Sequence, residues 1–407
     1  MRIALILLML GICAGINAQQ FSFGNNTYKT VYPEDLCKTL KENPGYSILD
    51  VRSYGEHYDT SSSKDYNLGY FKNSLHIPVN ELSKRWRELE VLKDKPLFIY
   101  CSHSQRSRRA SKMLADSGFT RIYNINGGMT NILLKKQDLD KCFEQLYETK
   151  TAYKLISPGY IAEQSKKSNP WFIIDVRQDS VFKGISTYEK RNTLGHFQSA
   201  VNIPINQLEI NLTKIPKSQP LLIIDEYGSD SPAAAEMLIA KGFKDVSVLF
   251  NGMNAWLEYS LDHKNIHTDG WESHTPYKII NVTAFDELMR KTPNAVLIDL
   301  RKSDQYKNQS KNYWENIGKI KNAINIPFDE FEKKTSELPA SKNQSVILYV
   351  FSNQNEVYEI AKKMDDMGYK NVNVLFGGIW NIRWTAYNIK GKSYLKDWVI
   401  DIPQENM

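Results

Sequence analysis

The sequence predicts an α/β chain of three tandem domains, each a parallel sheet with helices on both faces. Two observations carry that expectation. The first is internal repetition. Ile48-Leu49-Asp50-Val51-Arg52 recurs 125 residues on as Ile173-Ile174-Asp175-Val176-Arg177, and 124 further on as Leu297-Ile298-Asp299-Leu300-Arg301. Leu75-His76-Ile77-Pro78 recurs as Val201-Asn202-Ile203-Pro204 and Ile324-Asn325-Ile326-Pro327. Asn126-Gly127-Gly128-Met129 is matched by Phe250-Asn251-Gly252-Met253 and Phe376-Gly377-Gly378-Ile379. Tyr28-Lys29, Tyr153-Lys154 and Tyr277-Lys278 open the units. A unit of this length is a domain, not a solenoid repeat. The second observation is alternation. Short β-branched runs are followed by amphipathic stretches with polar starts, the pattern of a parallel sheet covered on both faces.

Each element of the first unit follows from that alternation. Thr30-Val31 is a strand that leads to a helix from Pro33. A strand from Ser47 to Val51 comes next, then a polar loop to Leu68. Leu75 to Pro78, a helix near Asn80 to Leu89, and the strand Leu97 to Tyr100 follow. A helix from Ser107 to Ser117 and a strand from Arg121 to Ile125 complete the unit. The domains are placed at residues 28–140, 150–262 and 274–395. Polar linkers fall near Lys135 to Ala152 and Leu261 to Pro276. The second holds His263, His267 and His274. The first two have helical metal-ligand spacing, but no carboxylate or cysteine completes a set, so a solvated linker is the better reading and no metal is expected.

Composition narrows the function. At roughly 150 residues per domain, 407 residues suit two to four domains. The net charge of +6 arises from 52 basic and 46 acidic residues with no dense basic block, which argues against a nucleic-acid partner. Met1-Arg2, the apolar run Ile3 to Ile16 and Asn17-Ala18 read as a secretory signal peptide, residues 1–18. The run is short for a bilayer span, and Ile12 before Cys13 suits a lipoprotein site poorly. The mature chain is therefore expected to be exported, periplasmic or secreted, with no stable membrane span. It keeps Cys37, Cys101 and Cys142. Cys37 and Cys142 are either a bridge or two small buried hydrophobes; Cys101 is the natural unpaired one.

Cys101 lies directly after an apolar strand and before a helix, where open α/β sheets bind ligands. The stretch Cys101-Ser102-His103-Ser104-Gln105-Arg106-Ser107 is rich in hydroxyls and cations. Such a turn aims backbone N–H groups inward as an anion nest, and the helix behind it adds its positive end. A nest of this kind favours the thiolate of a cysteine within it. Arg108 and Arg109 are expected on the helix.

These residues resemble the rhodanese (thiosulfate sulfurtransferase) family, with three tandem rhodanese-like domains covering nearly all of residues 28 to 395. The markers are the Asp-Val-Arg strand, the segment Gly195-His196-Phe197-Gln198-Ser199-Ala200-Val201-Asn202-Ile203-Pro204, the cysteine loop and the Gly-Gly turn. The resemblance implies that Cys101 is the catalytic cysteine, carrying sulfane sulfur as a persulfide. It implies that Ser102, His103, Ser104, Gln105, Arg106 and Ser107 bind a small anionic sulfur donor, with His103 and Arg106 as the receiving cations. A thiol or cyanide is the implied acceptor, and no cofactor is needed. Related phosphatases carry their arginine one residue further from the cysteine, so the four-residue gap to Arg106 points to sulfur. Ser104 stands where many family loops have glycine, which implies a strained turn. A loop longer than the family's follows each Asp-Val-Arg strand and is expected to border the site.

The other loops depart. By the repeat offsets Asp225 stands opposite Cys101 in unit two, within Asp225-Glu226-Tyr227-Gly228-Ser229-Asp230-Ser231. In unit three an offset of 126, the spacing from Gly252 to Gly378, places Phe351 there. Neither carries sulfur, so units two and three are expected to be inactive and are candidates for recruiting a protein partner. The leading function is an exported sulfurtransferase; the alternative is a non-catalytic binding, sulfur-carrier or sensor protein. The Asp50–Arg52, Asp175–Arg177 and Asp299–Arg301 pairs persist where the thiol is lost, so they are read as fold-holding.

Overall fold

The computed structural model describes residues 27–136, 139, 141–166, 170–263, 270–273 and 275–403. The leader, Cys13, His267 and His274 lie outside the described residues.

Unit 1 contains β1 (Lys29–Val31), α1 (Pro33–Glu42), β2 (Ser47–Asp50), α2 (Tyr54–His57), β3 (Tyr70–Phe71), β4 (Leu75–His76), α3 (Val79–Arg85), β5 (Leu97–Tyr100), α4 (Gln105–Asp116), β6 (Ile122–Ile125), α5 (Gly128–Leu134), α6 (Lys141–Leu146) and β7 (Tyr147–Glu148). Unit 2 repeats the plan as β8 (Lys154–Ile156), α7 (Pro158–Ser165), β9 (Phe172–Asp175), α8 (Asp179–Phe182), α9 (Glu189–Asn192), β10 (His196–Phe197), β11 (Val201–Asn202), β12 (Leu221–Ile224), α10 (Ser231–Ala240), β13 (Val246–Leu249), α11 (Gly252–Asp262) and β14 (Trp271–Glu272). Unit 3 has β15 (Lys278–Ile280), α12 (Val282–Lys291), β16 (Val296–Asp299), α13 (Ser303–Tyr306), β17 (Lys319–Ile320), β18 (Ile324–Asn325), β19 (Val346–Tyr349), α14 (Asn355–Asp366), β20 (Val372–Leu375), α15 (Gly378–Asn388) and β21 (Val399–Ile400).

Each unit forms one five-stranded parallel sheet in the same order: β1-β6-β5-β2-β4, β8-β13-β12-β9-β11 and β15-β20-β19-β16-β18. The three central strands β5, β12 and β19 are fully buried apolar runs, as strands covered on both faces must be. Cys101 and its counterparts leave the sheet from these strands.

The segments read as linkers are not plain linkers. β7 pairs antiparallel with β3, β14 with β10, and β21 with β17, so each unit closes on itself through a small second sheet. Tyr147 of β7 reaches back to the Leu68 carbonyl. A disulfide joins Cys37 of α1 to Cys142 of α6 and ties this closing segment to the start of unit 1.

The Asp–Arg pairs are buried ion pairs in all three units. In each, the arginine also donates to the carbonyl of Gly69, Gly195 or Gly318, so it fastens the long loop to the end of the sheet. Burial alone would raise the Asp50 carboxyl, but the charge of Arg52 and hydrogen bonds from His57 and Arg52 hold it well below the carboxylate range. The long loops share a further clamp. Asn67, Asn192 and Asn316 each accept from the backbone of Ser61, Ser186 or Ser310.

Each unit touches both of the others. Lys64 of unit 1 pairs with Glu236 of unit 2 at 3.2 Å, and Lys362 of unit 3 with Glu189 of unit 2 at 3.3 Å. Lys390 of unit 3 pairs with Asp35 of unit 1 at 2.7 Å. Phe250 of unit 2 enters the core of unit 1, and Phe376 of unit 3 enters that of unit 2. The equivalent residue in unit 1 is Asn126, which donates to the Tyr387 carbonyl of unit 3 at 3.1 Å. Two junctions are thus sealed by a phenyl ring and the third by polar contacts.

Candidate active site

Cys101 follows β5 and is buried, only 1% exposed. It belongs to the same buried apolar cluster as Leu49, Val51, Ile77 and Ala110. Its Sγ accepts from the Ser104 backbone N–H at 3.2 Å. Ser104 has φ +85°, the left-handed conformation usually left to glycine. The strain expected from a serine at this position is present, and it is of order 1 kcal/mol or more. The Ser104 hydroxyl compensates by accepting from the Gly127 N–H and bonding to Asn126 Oδ1. Ser107 Oγ donates to the Ser104 carbonyl at 3.0 Å and braces the same turn.

Helix α4 begins at Gln105, two residues before the sequence expectation, with Ser104 as its cap residue. Gln105, Arg106 and Ser107 are therefore its first turn, not loop. First-turn N–H groups have no intrahelical partner, so they face the loop as donors. Gln105 is exposed.

The Gly-Gly turn presses against the loop from the other side. Met129 N–H donates to the Cys101 carbonyl at 2.9 Å and Thr130 N–H to the Ser102 carbonyl at 3.0 Å. A Cβ at Gly128, which has φ +59°, would strike the Cys101 carbonyl. Only glycine allows that approach.

The expected receiving cations are differently employed. Arg106 forms a two-pronged salt bridge with Glu56, both contacts 2.6 Å, and also donates to Ser102 Oγ at 2.8 Å. Burial alone would raise Glu56, but the hydrogen bonds and charge of Arg106 hold its carboxyl below the usual range. His103 bridges Ser102 Oγ and Thr130 Oγ1, at 2.9 and 3.2 Å. His103 is exposed at its outer side; loss of hydration where the ring meets Ser102 and Thr130, and then the Arg106 charge, push its pKa down, so it is a neutral hydrogen-bonding group near pH 7. Arg108, assigned only to the helix by the sequence, turns back toward the site. It donates to Asn126 Oδ1 at 2.7 Å and to Asn388 Oδ1 of unit 3 at 2.9 Å. Both Arg106 and Arg108 lie within electrostatic reach of Cys101.

The unit 2 loop displays what this backbone path can hold. The Asp225 carboxylate accepts from the N–H groups of Gly228 at 2.6 Å, Asp230 at 2.6 Å and Ser231 at 2.8 Å. Gly228 has φ +86°, the conformation of Ser104 in unit 1. The nest is thus formed, and the side chain at its floor fills it with its own anion. Asp225 is buried, not a solvated acidic residue; burial raises its pKa against the three N–H donors.

The unit 3 assignment needs correction. Met129 and Met253 N–H donate to the carbonyls of Cys101 and Asp225, and the matching Ile379 N–H donates to Val350, not Phe351. Tyr100 and Tyr349 likewise match, each receiving an N–H from the neighbouring short strand. Val350 therefore occupies the thiol position, 125 residues after Asp225; the extra residue of unit 3 comes after it, with 28 residues from Val350 to Gly378 against 27 from Asp225 to Gly252. Phe351 packs edge-on against Trp314 instead.

Glu56, Thr130, Asn126 and Asn388 were not singled out from sequence. The first had a readable signal. The positions matching Glu56 are Val181 and Gln305, and those matching Arg106 carry Asp230 and Glu356, so acid and base occur together only in unit 1.

A family model for the Rhodanese-like domain matches residues 33–135, 157–259 and 281–383. The chain belongs to the rhodanese-like family. Among curated relatives, the uncharacterized protein YqhL of Bacillus subtilis is 35% identical over 104 residues, 24% of this chain and 74% of that protein. A tRNA uridine(34) hydroxylase of Escherichia coli is 29% identical over 103 residues, 24% of this chain but only 27% of that enzyme. A solved thiosulfate sulfurtransferase of Pseudomonas aeruginosa is 13% identical, covering 85% of this chain and 66% of that chain at a TM-score of 0.23. Among the described residues no group of three metal-ligating side chains occurs, and no helix is long and apolar enough to cross a membrane.

Proposed function

We propose that the chain is an exported sulfurtransferase with one active unit, in which Cys101 carries the sulfur. One observation carries this reading most directly. The loop path shared by units 1 and 2 directs three N–H groups onto an anion at its floor in unit 2, and unit 1 has a thiol at that floor. Converging backbone donors at a helix start stabilise a thiolate, a persulfide anion and the leaving group of an anionic donor alike.

The cycle starts with the Cys101 thiolate attacking the outer sulfur of thiosulfate. The new bond joins Sγ to that sulfur, the donor S–S bond breaks, and sulfite leaves with the bonding pair. Attack on the outer sulfur of the persulfide by cyanide or a thiolate then releases thiocyanate or a new persulfide and returns the Cys101 thiolate. Ser102, Ser104 and Ser107 shape the loop. Ser102 relays between His103 and the Arg106–Glu56 pair, and Gln105 is exposed in the first turn of α4. Export is supported by the Cys37–Cys142 disulfide, which persists in oxidising compartments, together with the basic and apolar start of the sequence.

The second reading, a sulfur-carrier or sensor protein without turnover, is favoured by the burial of Cys101 and the neutralisation of Arg106 by Glu56. Steady-state transfer from thiosulfate to cyanide separates the two. The sulfurtransferase reading expects multiple turnovers that Cys101→Ser abolishes without loss of thermal stability. A single stoichiometric uptake without turnover supports the carrier, and undiminished turnover in the variant sinks Cys101 as the sulfur-carrying residue.

A further inference from the structure

Unit 3 has no thiol at its loop, yet it reaches the Cys101 loop. The end of α15 sets Asn388 Oδ1 at 2.9 Å and the Tyr387 carbonyl at 3.5 Å from the same Arg108 nitrogen that meets Asn126 Oδ1. All three acceptors are neutral. Among the described residues Arg108 forms no ion pair with a carboxylate, whereas Arg106 is closed off by Glu56. The groups facing Arg108 from the packed elements are Tyr28 and Tyr32 at the start of unit 1, Cys101, and Tyr387 of unit 3, with Lys112 one turn along α4 facing Tyr28. None of these is a carboxylate. The nearby Lys390–Asp35 bridge pins the same junction at its exposed edge without touching Arg108.

We propose that unit 3 is a working part of the Cys101 site: Asn388 and the Tyr387 carbonyl hold Arg108 as the unneutralised cation near the thiol. Asn388 is thereby a positioning residue for an anionic reactant. The role assigned to Arg108 rests on the reading of Cys101 as a nucleophile for anionic donors. It gives the silent third unit a specific task. A neutral amide orients the guanidinium and leaves its charge intact; a carboxylate at that place would cancel it.

The test uses charge selectivity at Cys101, which needs no sulfur transfer. The full chain is alkylated in parallel with iodoacetate, an anion, and iodoacetamide, its neutral analogue, and the Cys101 adduct is followed by mass spectrometry. Asn388→Asp keeps a hydrogen-bond acceptor and adds a charge. It is expected to lower the iodoacetate-to-iodoacetamide rate ratio by about fivefold, with the thermal midpoint unchanged. Arg108→Gln is expected to lower it as much, and Lys390→Ala to leave it unchanged. A merely structural contact predicts no change for Asn388→Asp, and that result overturns the proposal. Should Asn388→Asp misfold, an unchanged ratio in Arg108→Gln overturns it equally. A Cys101 that neither reagent modifies in the native chain overturns both this proposal and the nucleophile. A falling ratio in a chain that transfers no sulfur leaves this proposal standing and removes the sulfurtransferase.

Discussion

The loops of units 1 and 2 leave equivalent central strands, make the same left-handed turn three residues on, and receive the same pair of N–H groups from the glycine turn. One has a thiol at its floor and the other a carboxylate. The carboxylate in unit 2 is held by three backbone donors, so the cradle is a property of the fold and not of its occupant. What distinguishes unit 1 is what surrounds the cradle: the Arg106–Glu56 pair, neutral His103 and the Arg108 cation. Units 1 and 2 share the outline of an anion site; unit 2 fills it with its own carboxylate, and unit 1 has a buried thiol there.

The sharpest way to break this comparison is Cys101→Asp. Sulfur transfer should vanish, while thermal stability should fall by no more than about 1 kcal/mol, because the nest satisfies a carboxylate. If Cys101 were merely a small core residue, the buried charge would cost several kcal/mol and the unit would unfold at a visibly lower temperature. Calorimetry of the variant distinguishes the two. The reverse exchange, Asp225→Cys, should acquire no sulfur from thiosulfate, since Glu226 and Asp230 repel the donor where unit 1 has Ser102 and Arg106.

The junctions give the next largest effect. Phe250→Ala should cost about 3–5 kcal/mol in the unfolding of units 1 and 2, as a buried ring is lost. Asn126→Ala should cost only about 1 kcal/mol. Equal losses would remove the distinction between sealed and polar junctions.

Glu56→Gln should cost about 2 kcal/mol at neutral pH, from the loss of a charged hydrogen-bond pair. The sign of its pH dependence follows from the lowered Glu56 pKa. The stabilisation is fully present above the unfolded carboxyl value of about 4.3 and is lost as pH falls through the lower folded value. Denaturant titrations from pH 6 down should therefore converge for the native chain and the variant in acid; a constant gap would exclude the pair as the cause. The smallest effect is expected at Ser104→Gly. Relief of the left-handed strain and loss of the hydroxyl bonds to Asn126 and Gly127 nearly cancel, to within about 1 kcal/mol.

Much of this was legible in sequence because the chain is its own alignment. The Asp-Val-Arg strands, the loop after β5 and the glycine turn recur at fixed spacing, and sheet order follows once strands alternate with helices. The misreadings have physical causes. Phe351 stands one place beyond the thiol position because the 126-residue spacing of the glycine turns includes a residue inserted after Val350. The closing strands β7, β14 and β21 are two residues each, too short to show a periodicity. The Arg106–Glu56 pair joins segments 50 residues apart, which local pattern does not report, whereas the Cys37–Cys142 bridge is one of the two readings that the cysteine count leaves open. Arg108 was set aside because its place on a helix said nothing of the neighbouring unit that turns it toward the thiol.

The central claim is that Cys101 in its nest accepts a sulfur atom. Mass spectrometry of the full chain after exposure to thiosulfate, followed by peptide mapping, tests it directly. The account predicts an added mass of one sulfur atom on the peptide holding Cys101, removed again by cyanide and lacking in Cys101→Ser. An unmodified Cys101 in a folded chain would contradict it.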